Sequence, residues 1–584
     1  MKKIFSILLI VIIAALLCLP LVSCNNKISY DYAFISDLHV VASSKFTKEN
    51  FVSYTKRQKL LHISEAILHS LVDELIQKKY KYVFVGGDIT EYGDEESHLV
   101  AAAAFDKLKR AGCKVFVING NHDLPVNKGE VGKKINPARF REIYKEFGYE
   151  QAVEKSPNTL SYAANVNKKY RVIGVDNMIH YGQDEIDVKA SELSDAHIRW
   201  IEGQVNKCIE DKVTPIIFAH DTMLDHYPPF VQAALNRKAG AQFNTLTKSI
   251  ADKGAKFIFS GHDHIQDISS LKTENDNELY EVSGASMTLY PLTYREMSFN
   301  KKKVVINTCS FDNLNVKYLP PFSDDSLKKE LENGLQTYCY NHFYHYINNL
   351  VTSAPDALRG MSLPTEAKQT MQVFADGVVD KIINNPFYKN KENDNISLQR
   401  ILENYDIDLP ESEYKSLADL APIMVMKLLA GDENFVGGPE LSLIKYTIFS
   451  IFYYIQQQSQ YFAELWPELL INIDLPKLFN KGILEAYDSN LMPFLLEVIK
   501  SIDKTIGSAL SIFSQNFDKI SDSLVLAIIS GYTNDIVDNL DEYFVGRNVL
   551  LGKLIDQGLW ERYGAGFVQD IAPSDTYFEV ELEK

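Results

Sequence analysis

Five short apolar runs in the first half of the chain each end in a polar residue of metal-binding type, and no other feature constrains the fold as tightly. Tyr32 to Ile35 leads into Ser36-Asp37-Leu38-His39, and Tyr82 to Val85 into Gly86-Gly87-Asp88. Val115 to Ile118 leads into Asn119-Gly120-Asn121-His122-Asp123, Ile216 to Phe218 into Ala219-His220, and Phe257 to Phe259 into Ser260-Gly261-His262-Asp263-His264. Runs of this length read as strands, and near-continuous apolar strands belong to a sheet covered on both faces. The carboxyl ends of such strands open onto the ligand crevice of an α/β sheet. Singly, each signal is weak: Gly-Asn-His-Asp is also turn chemistry, His-x-His only reports strand alternation, and an Asp after a strand can cap a helix. Five in series predict one shared metal site. Imidazole and carboxylate together suit zinc, iron or manganese.

The intervening segments read as helices and further strands. Lys59 to Gln77 carries Leu60, Ile63, Ile67, Leu71 and Leu75 on one face. A helix starts near the candidate N-cap Asp94 and runs to about Arg110, another covers Ser194 to Cys208, and a third lies between Asn244 and Gly254. Thr159 to Ala164 and Tyr170 to Val175 read as a hairpin, and Glu278 to Ser283, Glu296 to Phe299 and Val304 to Cys309 as strands. This pattern is an α/β layered domain with an added antiparallel part. After Leu319-Pro320-Pro321 the texture turns helical, with long patterns at Leu327 to Ile347, Thr365 to Asn384, Pro439 to Trp466 and Leu491 to Phe513. The expected division is a leader over 1–23, an α/β domain over 24–319 and an all-helical domain of unknown role and unknown partner over 320–584.

The first residues read as an export signal. Lys2 and Lys3 precede an apolar run from Ile4 to Val22, which ends in Leu21-Val22-Ser23-Cys24. A small residue before a cysteine favours a processed signal over a membrane span. Leu-x-Ser-Cys resembles the bacterial lipobox, which implies lipidation of Cys24 and a body held at the bacterial cell surface without crossing the bilayer. The remaining cysteines, Cys113, Cys208, Cys309 and Cys339, form no C-x-x-C pair and read as buried thiols. A net charge of −17 gives no general attraction to nucleic acid.

Asp-x-His, Gly-Asp, Gly-Asn-His-Asp, a solitary His and Gly-His-x-His, in that order, resemble the calcineurin-like metallophosphoesterase superfamily over about Tyr30 to Leu319. The resemblance implies a two-sheet sandwich flanked by helices and a dinuclear site for two divalent or trivalent ions (Mn, Fe or Zn). It implies that Asp37, His39 and His264 hold one metal, that Asn121, His220 and His262 hold the other, and that Asp88 bridges them. It further implies hydrolysis of phosphate esters by metal-activated hydroxide. His122 is then the candidate for stabilising the transition state and protonating the leaving oxygen, with Asp123 as its orienting partner.

Gly87-Asp88-Ile89-Thr90 and Gly120-Asn121-His122-Asp123 resemble the bacterial branch that includes class III cyclic-nucleotide phosphodiesterases, which tilts the expectation toward phosphodiesters. Purple acid phosphatases carry a tyrosine where Glu91 stands, and 5′-nucleotidases continue differently from Asp123-Leu124-Pro125. The alternatives are a phosphomonoesterase or protein phosphatase, and a surface binding protein whose helical half recognises a partner. His226, with Asp225 and Tyr227, reads as a rim loop. His62, Glu65 and His69 read as an ordinary helix face, and Cys339, His342 and His345 as a helical stripe without a closed metal site.

Overall fold

The computed structural model describes residues 28–431, apart from the stretches 182–185, 188–192, 228–240, 361–371, 391–395 and 404–407 and a few single positions, then scattered positions between 439 and 454 and the segment 576–581. Cys24 and the apolar run expected to be a leader lie outside the described residues, as do most of the helix expected at Pro439 to Trp466 and all of that at Leu491 to Phe513. No helix among the described residues is long and apolar enough to cross a membrane.

Fifteen strands are present in the described residues: β1 (Tyr32–Ile35), β2 (Tyr82–Val85), β3 (Lys114–Val117), β4 (Ala152–Lys155), β5 (Tyr162–Asn165), β6 (Tyr170–Val175), β7 (His180–Tyr181), β8 (Ile186–Asp187), β9 (Thr214–Ala219), β10 (Phe257–Ser260), β11 (Ile268–Lys272), β12 (Glu278–Ser283), β13 (Thr293–Phe299), β14 (Lys303–Ser310) and β15 (Tyr577–Glu581). One sheet runs β15-β14-β13-β1-β2-β3 and the other β11-β12-β10-β9-β6-β5-β4, with β7 and β8 a separate pair. The parallel pairs β1–β2 and β2–β3 lie in the first sheet, and β6–β9, β9–β10 and β10–β12 in the second. Antiparallel strands flank both parallel centres.

Aromatic rings join the two sheets. Phe34 of β1 meets Phe259 of β10 with ring centroids 5.6 Å apart, and Phe84 of β2 meets Phe218 of β9 at 5.8 Å. Strand alternation then divides β9 and β10 between two cores. Ile216, Phe218, Phe257 and Phe259 face the first sheet, while Ile217, Ala219 and Ile258 face helices Asp195–Glu210 and Ala241–Asp252. Burying one Phe side chain contributes roughly 1.5–3 kcal/mol, so this inter-sheet layer fixes the central strands, whose ends carry the polar residues. This is the sandwich flanked by helices that the motif order implied, and helices dominate the described residues beyond Pro320.

The helices start where their caps allow. Asp94 caps Glu95–Arg110 by accepting from the Ser97 amide, and Ser194 caps Asp195–Glu210 by accepting from His197. The third expected helix starts earlier, at Ala241, so Asn244 lies inside it. The helix expected from Lys59 begins at Ser64, because the Leu60 amide instead donates to the Thr288 carbonyl. The pattern from Leu327 to Ile347 splits into Asp325–Leu331 and Leu335–Thr352 at Gly334, whose φ of +97° ends the first helix. One element departs from an all-helical 320–584: β15 pairs antiparallel with β14, from Lys303 opposite Glu581 to Asn307 opposite Tyr577. Phe578 is buried there, 4.8 Å from the Tyr280 ring. Alternation in Tyr577-Phe578-Glu579-Val580 carried that signal. Cys113, Cys208, Cys309 and Cys339 are free and buried, as expected.

Candidate metal centre

Strands β1, β2, β3, β9 and β10 end on one rim, and the side chains beyond them converge. Their loops are strained in a way that marks the site. Nine non-glycine residues among those described have positive φ, and five of them are Asp37, His39, Asp88, His262 and His264. Asp and His tolerate this region better than most side chains, but it still costs energy that the surroundings must supply. Two glycines permit the close approach. A Cβ on Gly120 would stand 2.1 Å from Asp88 Oδ1, and one on Gly261 would stand 2.3 Å from Asp37 Oδ2.

The donor atoms form three overlapping sets, each within 4.8 Å: Asp37, His39 and His264; Asp88, His220 and His262; and His39, Asp88 and His122. In the first, His264 Nε2 lies 3.2 Å from Asp37 Oδ1 and 3.0 Å from His39 Nε2. In the second, His220 Nε2 lies 3.3 Å from Asp88 Oδ1 and 3.2 Å from His262 Nδ1. Asn121 Oδ1 joins this set, 3.1 Å from His220 Nε2 and 3.0 Å from His262 Nδ1. Asp88 reaches both groups, because its other oxygen, Oδ2, is 3.8 Å from His39 Nε2. The structure thus brings together all seven residues of the expected ligand set, with Asp88 in the middle.

The protonation pattern tests whether cations fit. His220 Nδ1 donates to the Gly86 carbonyl at 2.8 Å, and His39 Nδ1 lies 2.8 Å from the Glu91 carboxylate. Each ring therefore turns Nε2 toward the centre, as in ligating histidines whose other nitrogen is held by an acceptor. Burial, aided by the Lys59 ammonium, holds His39 down at about 4, so its ring is neutral. Burial would raise Asp37 and Asp88, yet His264 and His220 respectively keep both carboxyls below the usual range. Burial also opposes a charge on His220, but Asp88 and then Asp37 override it and push that group up to about 10. Buried carboxylates need positive charge beside them, which a proton on His220 supplies here and a bound cation would supply in its place. A pair of hard-to-borderline cations matches this donor set.

The Gly-Asn-His-Asp loop corrects one expectation. Asp123 does not orient His122. Its buried carboxylate accepts from the amides of Gly120 (2.9 Å), Ile89 (3.1 Å) and Thr90 (2.9 Å), and from the Thr90 hydroxyl at 3.1 Å. It staples the β3 loop to the β2 loop. His122 Nδ1 instead donates to the backbone carbonyl of Glu91 at 2.8 Å, which leaves Nε2 3.9 Å from Asp88 Oδ2 on the open side. The His122 amide donates to Asp88 Oδ1 at 2.8 Å.

Glu91 and Lys59 are the site residues that sequence reasoning missed. Lys59 Nζ lies 2.8 Å from Glu91 Oε2 and 3.1 Å from His39 Nδ1. Burial would raise Glu91, but His39 and Lys59 hold it at about 2. The only sequence signal was its place three residues beyond Asp88.

The remaining candidates fall elsewhere. His226 is buried rather than at a rim, with Nδ1 2.5 Å from Asp267 and Nε2 3.3 Å from Glu281. Asp225 offers its carbonyl to Ser269, and Tyr227 donates to the Asp263 carbonyl. His62 bonds the Tyr338 hydroxyl, and His342 the Arg57 carbonyl. Neither joins a metal-type cluster among the described residues.

The family model described as calcineurin-like phosphoesterase matches residues 31–266. Residues 31–266 belong to that family. The match spans every strand end of the calcineurin-like phosphoesterase site, from Asp37 to His264. Among solved structures, a dimetal phosphatase from Danio rerio is similar at 11% identity over 49% of this chain and 97% of its own, with a TM-score of 0.34. A purple acid phosphatase from yellow lupin is similar at 11% identity over 48% of this chain and 51% of its own, with a TM-score of 0.31. No curated protein sequence matches the chain.

Proposed function

We propose that this calcineurin-like phosphoesterase domain hydrolyses phosphodiesters at a two-metal centre, with Asp37, His39 and His264 on one ion, Asn121, His220 and His262 on the other, and Asp88 between them. The observation that carries this reading is the convergence of all seven side chains from five strand ends of two sheets, with Asp88 within reach of both groups. Two cations held there supply positive charge for the phosphoryl oxygens and for an attacking water. The protein's own residues supply the rest. With Nδ1 tied to the Glu91 carbonyl, His122 exchanges protons only at Nε2. As an imidazolium it gives that proton to the leaving oxygen and is left as the neutral Nδ1–H tautomer. The neutral Asn121 contributes a carbonyl oxygen without adding negative charge, which keeps the site attractive to an anionic ester.

The diester preference rests on the resemblance of the Gly87–Thr90 and Gly120–Asp123 segments to the class III phosphodiesterase branch. The resemblance of Leu21-Val22-Ser23-Cys24 to a lipobox supports a lipid anchor at Cys24 and a place at the bacterial cell surface. Manganese-loaded protein, assayed with nitrophenyl mono- and diesters before and after chelation, tests the chemistry. Diester turnover that vanishes on chelation and returns with Mn²⁺, Zn²⁺ or Fe supports the reading. Full turnover by metal-free protein overturns it, and a preference for the monoester overturns the diester part alone.

A further inference from the structure

Gln266 lies two residues beyond His264 and is buried. Its amide donates to the Leu429 carbonyl at 2.9 Å, and its Nε2 donates to the Ala430 carbonyl at 3.3 Å. Its Oε1 accepts from the Thr293 hydroxyl at 2.7 Å. Leu429 and Ala430 close the helix Leu417–Leu429, where carbonyl groups have run out of intrahelical donors. Gln266 supplies two of the missing donors from the other half of the chain.

An apolar seam surrounds this contact. Leu289 is buried with Phe343 and Ile347 of helix Leu335–Thr352 and with Met426 and Leu429. Leu289 in turn follows the segment that borders Asp37, where the Ser286 hydroxyl and the Met287 amide donate to the Asp37 carbonyl at 2.8 and 3.2 Å. The helices beyond Pro320 therefore meet the phosphoesterase domain beside both Asp37 and His264. The loop after His264 has a second anchor inside the domain. Asp267 binds His226 through its carboxylate, and its carbonyl accepts from the Ser283 amide and from Arg295. One anchor is thus internal and the other belongs to the helical segment. Between them and His264 stands only the buried Ile265. The His264 φ of +58° must be held by such anchors.

We propose that Gln266 is a positioning residue through which the helical segment sets the His264 side of the metal centre. This inference rests on the two-metal reading of the site. The helices are then a support of the catalytic loop, and a change in their docking is felt first by the ion that Asp37, His39 and His264 hold.

Full-length protein, stripped of metal, tests this. Gln266→Met keeps the length of the side chain and removes both of its hydrogen-bonding groups. Leu429→Ala thins the seam from the helical side without changing any residue of the phosphoesterase domain. Manganese is titrated calorimetrically into each variant and into wild type, alongside Tm and the kinetics of bis-nitrophenyl phosphate hydrolysis. Both variants should weaken one manganese site about tenfold, as loss of an outer support typically does, and leave the other unchanged. Both should lower kcat more than they raise KM. Unchanged affinities, or equal weakening of both sites, overturn the proposal. If Gln266→Met does not fold, Leu429→Ala decides by the same criteria. A wild-type protein that binds manganese but hydrolyses no ester overturns the catalytic reading alone, and the titrations still decide the role of Gln266.

Discussion

At the scale of single residues, the Gly-Asn-His-Asp loop separates chemistry from construction. His122 and Asp123 are neighbours in sequence, yet His122 stands on the open side of the site and Asp123 is fully buried beneath it. His122→Ala should keep both metals and the wild-type Tm while lowering kcat roughly 10²–10⁴-fold, the usual worth of a general acid–base group. Loss of a metal equivalent in that variant would make His122 a ligand instead. Asp123→Ala should do the reverse. It strands the amides of Gly120, Ile89 and Thr90, and an unsatisfied buried donor costs about 1–3 kcal/mol. Denaturant unfolding should show that loss directly, and a wild-type midpoint would refute the stapling role. Sequence placed both residues in the site but gave Asp123 the wrong partner, because both follow the same glycine and only the fold shows which way each side chain turns. Lys59 and Glu91 were harder still, since they are 32 residues apart and meet only once β1 and β2 pair.

At the scale of elements, the strands that end in ligands were legible because parallel central strands are apolar along their whole length. The edges of the second sheet were not. β4 and β11 carry Ala152-Val153-Glu154-Lys155 and Ile268-Ser269-Ser270-Leu271-Lys272, half-exposed segments with no apolar run to announce them. The break at Gly334 was passed over because apolar spacing continues on both sides of it. The loop after β9 is held from below by His226. Burial opposes its charge, but Asp267 and Glu281 push the group up to about 10. Its folded value exceeds the unfolded one of about 6.5. The stability it contributes is therefore complete below about pH 6.5 and is lost as pH rises through about 10. The Tm gap between wild type and His226→Gln should be widest near pH 6 and close by about pH 10–11; a gap independent of pH would show that the ring carries no charge.

For the whole molecule, the boundary near Pro320 marks a change of texture and not a clean division. β15 pairs with β14, and Gln266 holds the helix end at Leu429 and Ala430. A chain ending at Leu319 retains every proposed ligand but loses both supports. It should melt lower than the full chain and bind manganese more weakly, read by thermal scanning and by titration. Equal Tm and affinity would show that the two parts are independent. The leader makes a separate prediction: Cys24→Ser should release the protein from membranes or stall its processing, read by fractionation and by sequencing the mature N-terminus. A mature form that starts elsewhere would refute lipidation.

The pairing of β15 with β14 also orders events in time. Residues 303–310 are synthesised more than 260 positions before residues 577–581. Until the later segment emerges, β14 offers a row of unpaired amides and carbonyls, and such an edge recruits whatever strand is near. A ribosome or export channel that delivers the chain slowly leaves the sandwich with a sticky margin for the whole of that interval. Lys303, whose ammonium meets Glu579 in the finished protein at 2.7 Å, then puts its charge on that margin before this carboxylate arrives. Charge on an unpaired edge discourages pairing with the wrong partner, so the same lysine guards the strand early and helps fasten it late.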